Sequence, residues 1–169
     1  PAAREHLVYA AARWWDDGKN AGVLDEAARL LPWPMLALGD TAGPQGQTVQ
    51  LDHARSFGSL PHETVRSIAS RAAIFVSPSR YEPFGLAALE AASGGAALVL
   101  SDIPTYRELW DGAARFASPE SPEAFALQVQ LLRSEEHTSE LQSRRNLVCR
   151  LPLEKKKPTS LHFPSVPSY

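Results

Sequence analysis

The sequence predicts an α/β fold built on a doubly wound parallel sheet, and three observations lead to that class. Short apolar runs such as AIFVSPS (73–79) and AALVLSD (96–102) alternate with amphipathic stretches of helical period from His6 to Leu132. The apolar runs are near-continuous rather than alternating, so both of their faces need cover, as in a parallel sheet with helices on either side. The length of 169 residues, 44% of them apolar, is enough to bury such a core in one domain.

HLVYAAARWW (6–15) reads as a buried strand. NAGVLDEAARLL (20–31) reads as a helix because Val23, Leu24, Ala27, Leu30 and Leu31 fall near one stripe. PMLALGD (34–40) is the next strand, and the Gly/Pro/Gln-rich stretch from Thr41 to Gln47 is a loop. HARSFGS (53–59) is a weaker strand, and PHETVRSIASRA (61–72) a helix with Pro61 near its first turn, where its missing N–H is tolerated. After the strand at 73–79 come a helix at 85–92 (GLAALEAA), the strand at 96–102 and a short helix at 105–110 (TYRELW). A strand at 114–118 (ARFAS) and a helix at 121–132 (SPEAFALQVQLL) complete a Rossmann-like order. Ligands of such sheets sit at the carboxyl ends of the strands.

Composition removes several classes. The lone Cys149 excludes an internal disulfide framework and a Cys-based zinc site. No stretch approaches the roughly 18 uninterrupted apolar residues of a membrane span, and no basic, apolar, small-residue leader opens the chain. The start on Pro1, running straight into strand-like sequence, gives the expectation of an internal fragment. Net charge is −2, but up to Leu132 there are 10 basic and 15 acidic residues, against 7 and 4 beyond. The acidic body lacks the basic footprint of a nucleic-acid partner.

From Arg133 the sequence has no sustained apolar period and ends in a Pro/Ser-rich stretch with little capacity to fold. RSEEHTSELQS (133–143) resembles one reading frame of a common short-read sequencing adapter. Residues 146–157, with NLVCR and LEKKK, resemble a frame of that adapter's far end running into an A-rich stretch. Pro152 departs from the Leu expected there, and Arg144 and Arg145 fall where a variable barcode would sit. Two parts are therefore expected: a domain at 1–132, and a tail at 133–169 that is artefactual and either disordered or weakly helical. An amphipathic helix from Glu135 to Leu147 is the alternative. On the first reading Cys149 carries no redox information and the three lysines no localisation signal.

The chemistry concentrates between Ser77 and Asp102. A buried strand ends at Ser77, a tight turn carries Glu82, Pro83, Phe84 and Gly85, and a helix begins near Leu86. Such a turn aims free backbone N–H groups and the positive end of a helix dipole out of the sheet's carboxyl edge, where an anion or a polar sugar can bind. Gly85 permits close approach of the backbone to a ligand. Glu90 lies among Ala87, Ala88, Leu89, Ala91 and Ala92, in a helix apolar nearly all round, where a carboxylate is costly unless it faces a polar cleft or a partner. A solvated helix face is the other reading.

ARWWDDGKN (12–20) is the second carrier: Arg13 ends a strand, and Lys19 follows a loop closed by Gly18, just before a helix. Two cations at a strand-to-helix turn suit a diphosphate, although the same pair also suits a solvated surface. Gly58 to His62 is a further strand-to-helix turn, in which His62 reads as a solvated or capping residue as readily as a base. No G-x-S-x-G, P-loop or G-x-G-x-x-G occurs, which removes the commonest hydrolase, NTPase and dinucleotide readings. No His/Asp/Glu cluster has metal-ligand spacing.

YEPFGLAALEA (81–91) resembles the E-x7-E signature of retaining GT-B glycosyltransferases of family four, through Glu82, Phe84, Gly85, Leu86 and Glu90. The resemblance extends over roughly Ala10 to Leu132 and implies that this is the donor-binding half of a GT-B fold. It further implies that Arg13 and Lys19 hold the diphosphate of a nucleotide-sugar donor, with the usual Gly before the Arg replaced by Ala12. On the same basis Leu60 frames the nucleobase through its backbone, Glu82 and the amides from Phe84 to Leu86 hold the sugar, and Glu90 accepts from the ribose. Glu82, Arg13 and Lys19 are the candidate catalytic residues, and both glutamates bind donor hydroxyls rather than forming a hydrolase acid/base pair. GGAALVLSD (94–102) stands where the family more often has G-T-P, and SDIPTYRE (101–108) lacks its Gly pair but keeps Glu108, which leaves the donor and acceptor subtype open.

Implied partners are the nucleotide sugar, a hydroxyl acceptor such as a glycan or lipid-linked sugar, and an amino-terminal acceptor domain missing from this chain. No cofactor and no metal ion are implied. The implied location is cytoplasmic, or peripheral at the membrane for the parent enzyme. An epimerase or phosphorylase on the same scaffold and a non-catalytic nucleotide-binding or interaction domain are the competing readings.

Overall fold

The computed structural model describes residues 4–135. The expectations for the tail beyond Glu135 lie outside the described residues. In chain order the elements are β1 (Glu5–Ala11), α1 (Ala21–Arg29), β2 (Met35–Leu38), β3 (Arg55–Ser56), α2 (His62–Arg71), β4 (Ala72–Ser77), α3 (Leu86–Ser93), β5 (Ala97–Ser101), α4 (Pro104–Trp110), β6 (Arg115–Ala117) and α5 (Pro122–Glu135). All six strands are parallel, in the order β3-β2-β1-β4-β5-β6. This is the doubly wound class that the alternation predicts. The direction of winding reverses between β1 and β4, which opens a crevice at their carboxyl ends.

Strand periodicity divides the core into two layers. Val8, Ala10, Ile74, Val76 and Val99 face the layer that holds Leu24 of α1 and Phe125 and Val129 of α5. Tyr9, Phe75, Leu98 and Leu100 face the opposite layer, with Ala88 and Ala91 of α3 and Tyr106 and Trp110 of α4. The rings of Tyr9 and Phe75 meet edge to face at 5.1 Å. All six residues of β4 are buried, as the unbroken apolar run requires.

Three elements depart furthest from the sequence expectation: β1, β3 and α5. β1 stops at Ala11, because Trp14 turns back under the sheet edge and donates its indole N–H to the Leu38 carbonyl at 3.0 Å. A 3-10 turn at Asp17–Lys19 then precedes α1, with the Asp16 side chain accepting from the Gly18 N–H at 2.9 Å. β3 is only two residues long. Its approach is fixed instead by the buried Asp25 of α1, which accepts from the backbone N–H groups of Asp52, His53 and Ala54 at 3.1, 2.8 and 2.8 Å. α5 continues to Glu135, with the Arg133 guanidinium over the Trp33 ring at 4.7 Å and Glu135 paired with Arg115.

Candidate functional site

A cleft of about 390 Å³ opens at the carboxyl ends of β1, β2 and β4. Arg13 and Lys19 reach it from the connection after β1, Gly39 and Asp40 from the end of β2, and Leu60 from the turn before α2. Ser77 lines it from the end of β4, Ser79, Glu82 and Phe84 from the connection after it, and Leu86 from the first turn of α3. Six of the residues singled out in the sequence, Arg13, Lys19, Leu60, Glu82, Phe84 and Leu86, therefore share one concavity.

Lys19 and Glu82 meet within it, Nζ to Oε2 at 2.7 Å, with side chains only 15% and 17% exposed. The other Glu82 oxygen accepts from the Gly85 N–H at 3.2 Å, so one carboxylate closes the turn before α3 and engages the cation from the turn before α1. Arg13 is exposed, its guanidinium 5.5 Å from the centroid of the Trp15 ring. Phe84 and Leu86 are 74% and 63% exposed, apolar side chains standing in solvent at the mouth of the cleft.

Gly85 is required for a reason other than ligand approach. It precedes α3 with φ +63°, and a Cβ there would lie 3.3 Å from Tyr106 Cε1. The residue is buried and faces the core side of the turn, so its missing side chain makes room for Tyr106. Beneath the cleft floor the Tyr106 hydroxyl shares a 2.6 Å hydrogen bond with the Ser77 hydroxyl, which lies 3.3 Å from that of Ser79. Burial pushes the Tyr106 phenol up to about 12; the Ser77 hydrogen bond opposes the shift and the Glu82 charge adds to it.

Glu90 lies elsewhere. It faces solvent on α3, its side chain 58% exposed and Oε1 3.7 Å from Nε2 of His62. The desolvation argument for Glu90 does not hold, because only Ala88, Ala91 and Ala92 of α3 are buried while Leu86, Leu89 and Glu90 share the outer face. Glu90 lines a smaller cavity of about 140 Å³ between α2 and α3, which adjoins the main cleft through Ala11, Val65 and Ala87. Tyr9 also lines this cavity, and its phenol is pushed well above the usual range by burial and by the Glu90 charge.

Two cations, the start of α3 and the Glu82 carboxylate together make a site able to hold an anion beside a hydroxylated group. Among the described residues no three His, Cys, Asp or Glu side chains gather as a metal site, and no helix is long and apolar enough to cross a membrane. The sequence reading passed over Asp40, Ser77 and Ser79. Their positions in the carboxyl-terminal ends of the predicted strands at 34–40 and 73–79, on the ligand-bearing edge, are the available signal.

The family model for glycosyl transferases group 1 matches residues 47–147. That span contains Leu60, Glu82, Phe84, Gly85, Leu86 and Glu90 and leaves out Arg13 and Lys19. A glycogen synthase of Mycobacterium tuberculosis is 51% identical over 49 residues, 29% of this chain and 12% of the relative. A GDP-mannose:cellobiosyl-diphosphopolyprenol alpha-mannosyltransferase of Xanthomonas oryzae pv. oryzae is 42% identical over 76 residues, 44% of this chain and 20% of the relative. The match thus spans a minor part of these relatives' length. Among solved structures, the sucrose-phosphate synthase of Thermosynechococcus elongatus superposes with a TM-score of 0.72 at 22% identity, covering 87% of this chain and 41% of that one. The catalytic domain of cholesterol-alpha-glucosyltransferase from Helicobacter pylori does so with a TM-score of 0.69 at 19% identity, covering 90% of this chain and 100% of that one. These structural likenesses speak to the fold, that of one half of a GT-B glycosyltransferase. Since the family match covers more than half of the chain, the chain belongs to the glycosyl transferases group 1 family.

Proposed function

We propose that the described domain binds the nucleotide-diphosphate sugar of a retaining, family-four hexosyltransferase, whose parent protein passes the sugar to a hydroxyl acceptor such as a glycan or a lipid-linked sugar. The observation that carries this reading is the convergence of Arg13, Lys19, Glu82 and the start of α3 on one cleft at the winding reversal. In the transfer, charge builds on the departing diphosphate. Arg13 and Lys19 would neutralise it, a fixed electrostatic role that elsewhere falls to a metal ion.

Lys19 starts out bound to Glu82. An entering diphosphate would compete for the ammonium, leaving Glu82, still held by the Gly85 N–H, to accept hydrogen bonds from sugar hydroxyls beside the N–H groups of Phe84 and Leu86. From the adjoining cavity Glu90 would accept from the ribose, while the backbone near Leu60 frames the base. The E-x7-E spacing supports the retaining assignment. An acceptor domain would have to come from outside the described residues, so this domain alone should bind donor without turning it over.

Displacement of a fluorescent nucleoside diphosphate from the 169-residue chain tests the reading. Arg13→Ala and Lys19→Ala should each weaken binding by about 1–3 kcal/mol, the loss of a charge-assisted contact, with the thermal midpoint little changed. Chelation of divalent ions should leave affinity as it was. Unchanged affinity in both variants would sink the diphosphate assignment.

A further inference from the structure

We infer that Asn20 is a positioning residue for Lys19 and Glu82, an inference that rests on the donor-binding reading above. Among the described residues Asn20 is the only non-glycine with positive φ, at +63° with ψ +48°. It is 4% exposed, and it sits between Lys19 and the first residue of α1. Its side-chain amide donates to the Pro78 carbonyl at 2.8 Å and to the Pro119 carbonyl at 2.7 Å. Both amide protons of one buried side chain are thereby used on two other connections: the β4–α3 connection, which carries Glu82, and the β6–α5 connection.

A second strap runs parallel, with the Arg80 N–H donating to the Gly18 carbonyl at 2.9 Å. The cation and the carboxylate of the cleft thus belong to two connections that Asn20 binds together directly behind them. The left-handed conformation sets the direction in which the chain leaves Lys19, and the amide sets the distance to the loop of Glu82. Glycine would satisfy the backbone but donate nothing. Aspartate tolerates the conformation but, ionised, presents only acceptors to two carbonyls. Asparagine is the common residue that meets both requirements. Released from this strap, Lys19 would no longer be held at a fixed distance from the turn before α3, so the cost should fall on the phosphates of a ligand and spare its nucleoside.

The test compares a nucleoside diphosphate with the matching nucleoside on the full chain, in Asn20→Gly, in Lys19→Ala and in the double variant. Asn20→Gly should weaken the diphosphate by about fivefold or more and the nucleoside by less than about twofold, and in the Lys19→Ala background the same change should cost the diphosphate less than about twofold. Equal weakening of both ligands, or an undiminished effect without Lys19, assigns Asn20 a purely structural role and overturns the inference. If Asn20→Gly fails to fold, Asn20→Asp carries the comparison, and unfolding of both variants likewise overturns it. A wild-type chain that binds no nucleoside diphosphate overturns the donor-binding reading and this inference together, whereas tight wild-type binding left untouched by Asn20→Gly overturns the inference alone.

Discussion

Glu82 and Glu90 stand eight residues apart and meet opposite environments, the first nearly enclosed with Lys19, the second in solvent above a separate cavity. Their neutral variants should therefore differ. Glu82→Gln should leave a plain nucleoside diphosphate bound no more weakly than before, since Lys19 is freed for the phosphates, and should abolish the extra affinity that the sugar confers. Glu90→Gln should weaken the diphosphate and its sugar conjugate by similar factors. Calorimetric titration with both ligands checks this; equal losses from Glu82→Gln, or none from Glu90→Gln, would remove the assigned roles. Tyr106 gives a pH signature. Its folded-state value of about 12 lies above the ordinary 10.0, so the stability it contributes is complete below pH 10 and drains away as the pH rises toward 12. In thermal melts across that window Tyr106→Phe should lose less of its midpoint than the wild type, while Tyr9, raised in the same direction, leaves part of the alkaline loss in place.

The start of α3 is the element on which the cleft depends most. Gly85→Ala puts a Cβ on a left-handed residue and 3.3 Å from Tyr106 Cε1, so it should destabilise the domain by about 1–2 kcal/mol in urea denaturation and displace the N–H groups that face the cleft. Elements of this kind were readable in the sequence because their signals are local. The continuous apolar run at β4, the stripe Val23–Leu24–Ala27 on α1 and the turn chemistry at Gly85 each involve residues close together in the chain. The contacts that finish the site are not local. Lys19 and Glu82 are 63 residues apart and Asn20 and Pro119 are 99 apart, so nothing in the pattern around either member signals the other. Glu90 misleads for a related reason: alanines on every side look like a buried helix, but only the sheet's position decides which alanines are covered. β1 reads too long because Trp14 and Trp15 extend the apolar run past the point where the chain turns.

For the whole molecule, the packing of α5 continues past Leu132. Arg133 is buried against Trp33, and Glu135 pairs with Arg115 of β6, so packing contacts extend past Leu132. A chain stopped after Glu135 should melt within about 2 °C of the full chain, whereas one stopped after Leu132 should melt about 2–5 °C lower, the shift expected for roughly 1 kcal/mol in a domain of this size. A larger loss on stopping after Glu135 would mean that residues beyond it contribute to the fold. The sheet itself ends on two short strands: β3 has two residues and β6 three, and each includes an arginine. A neighbouring copy sliding alongside either border meets too few unpaired N–H and C=O groups to build a ladder, and at β3 also the exposed positive charge of Arg55. The open sheet, which places a ligand crevice at its centre, is in this way protected at both margins against the edge-to-edge aggregation that longer border strands invite, and lengthening β3 is the change that would remove that protection.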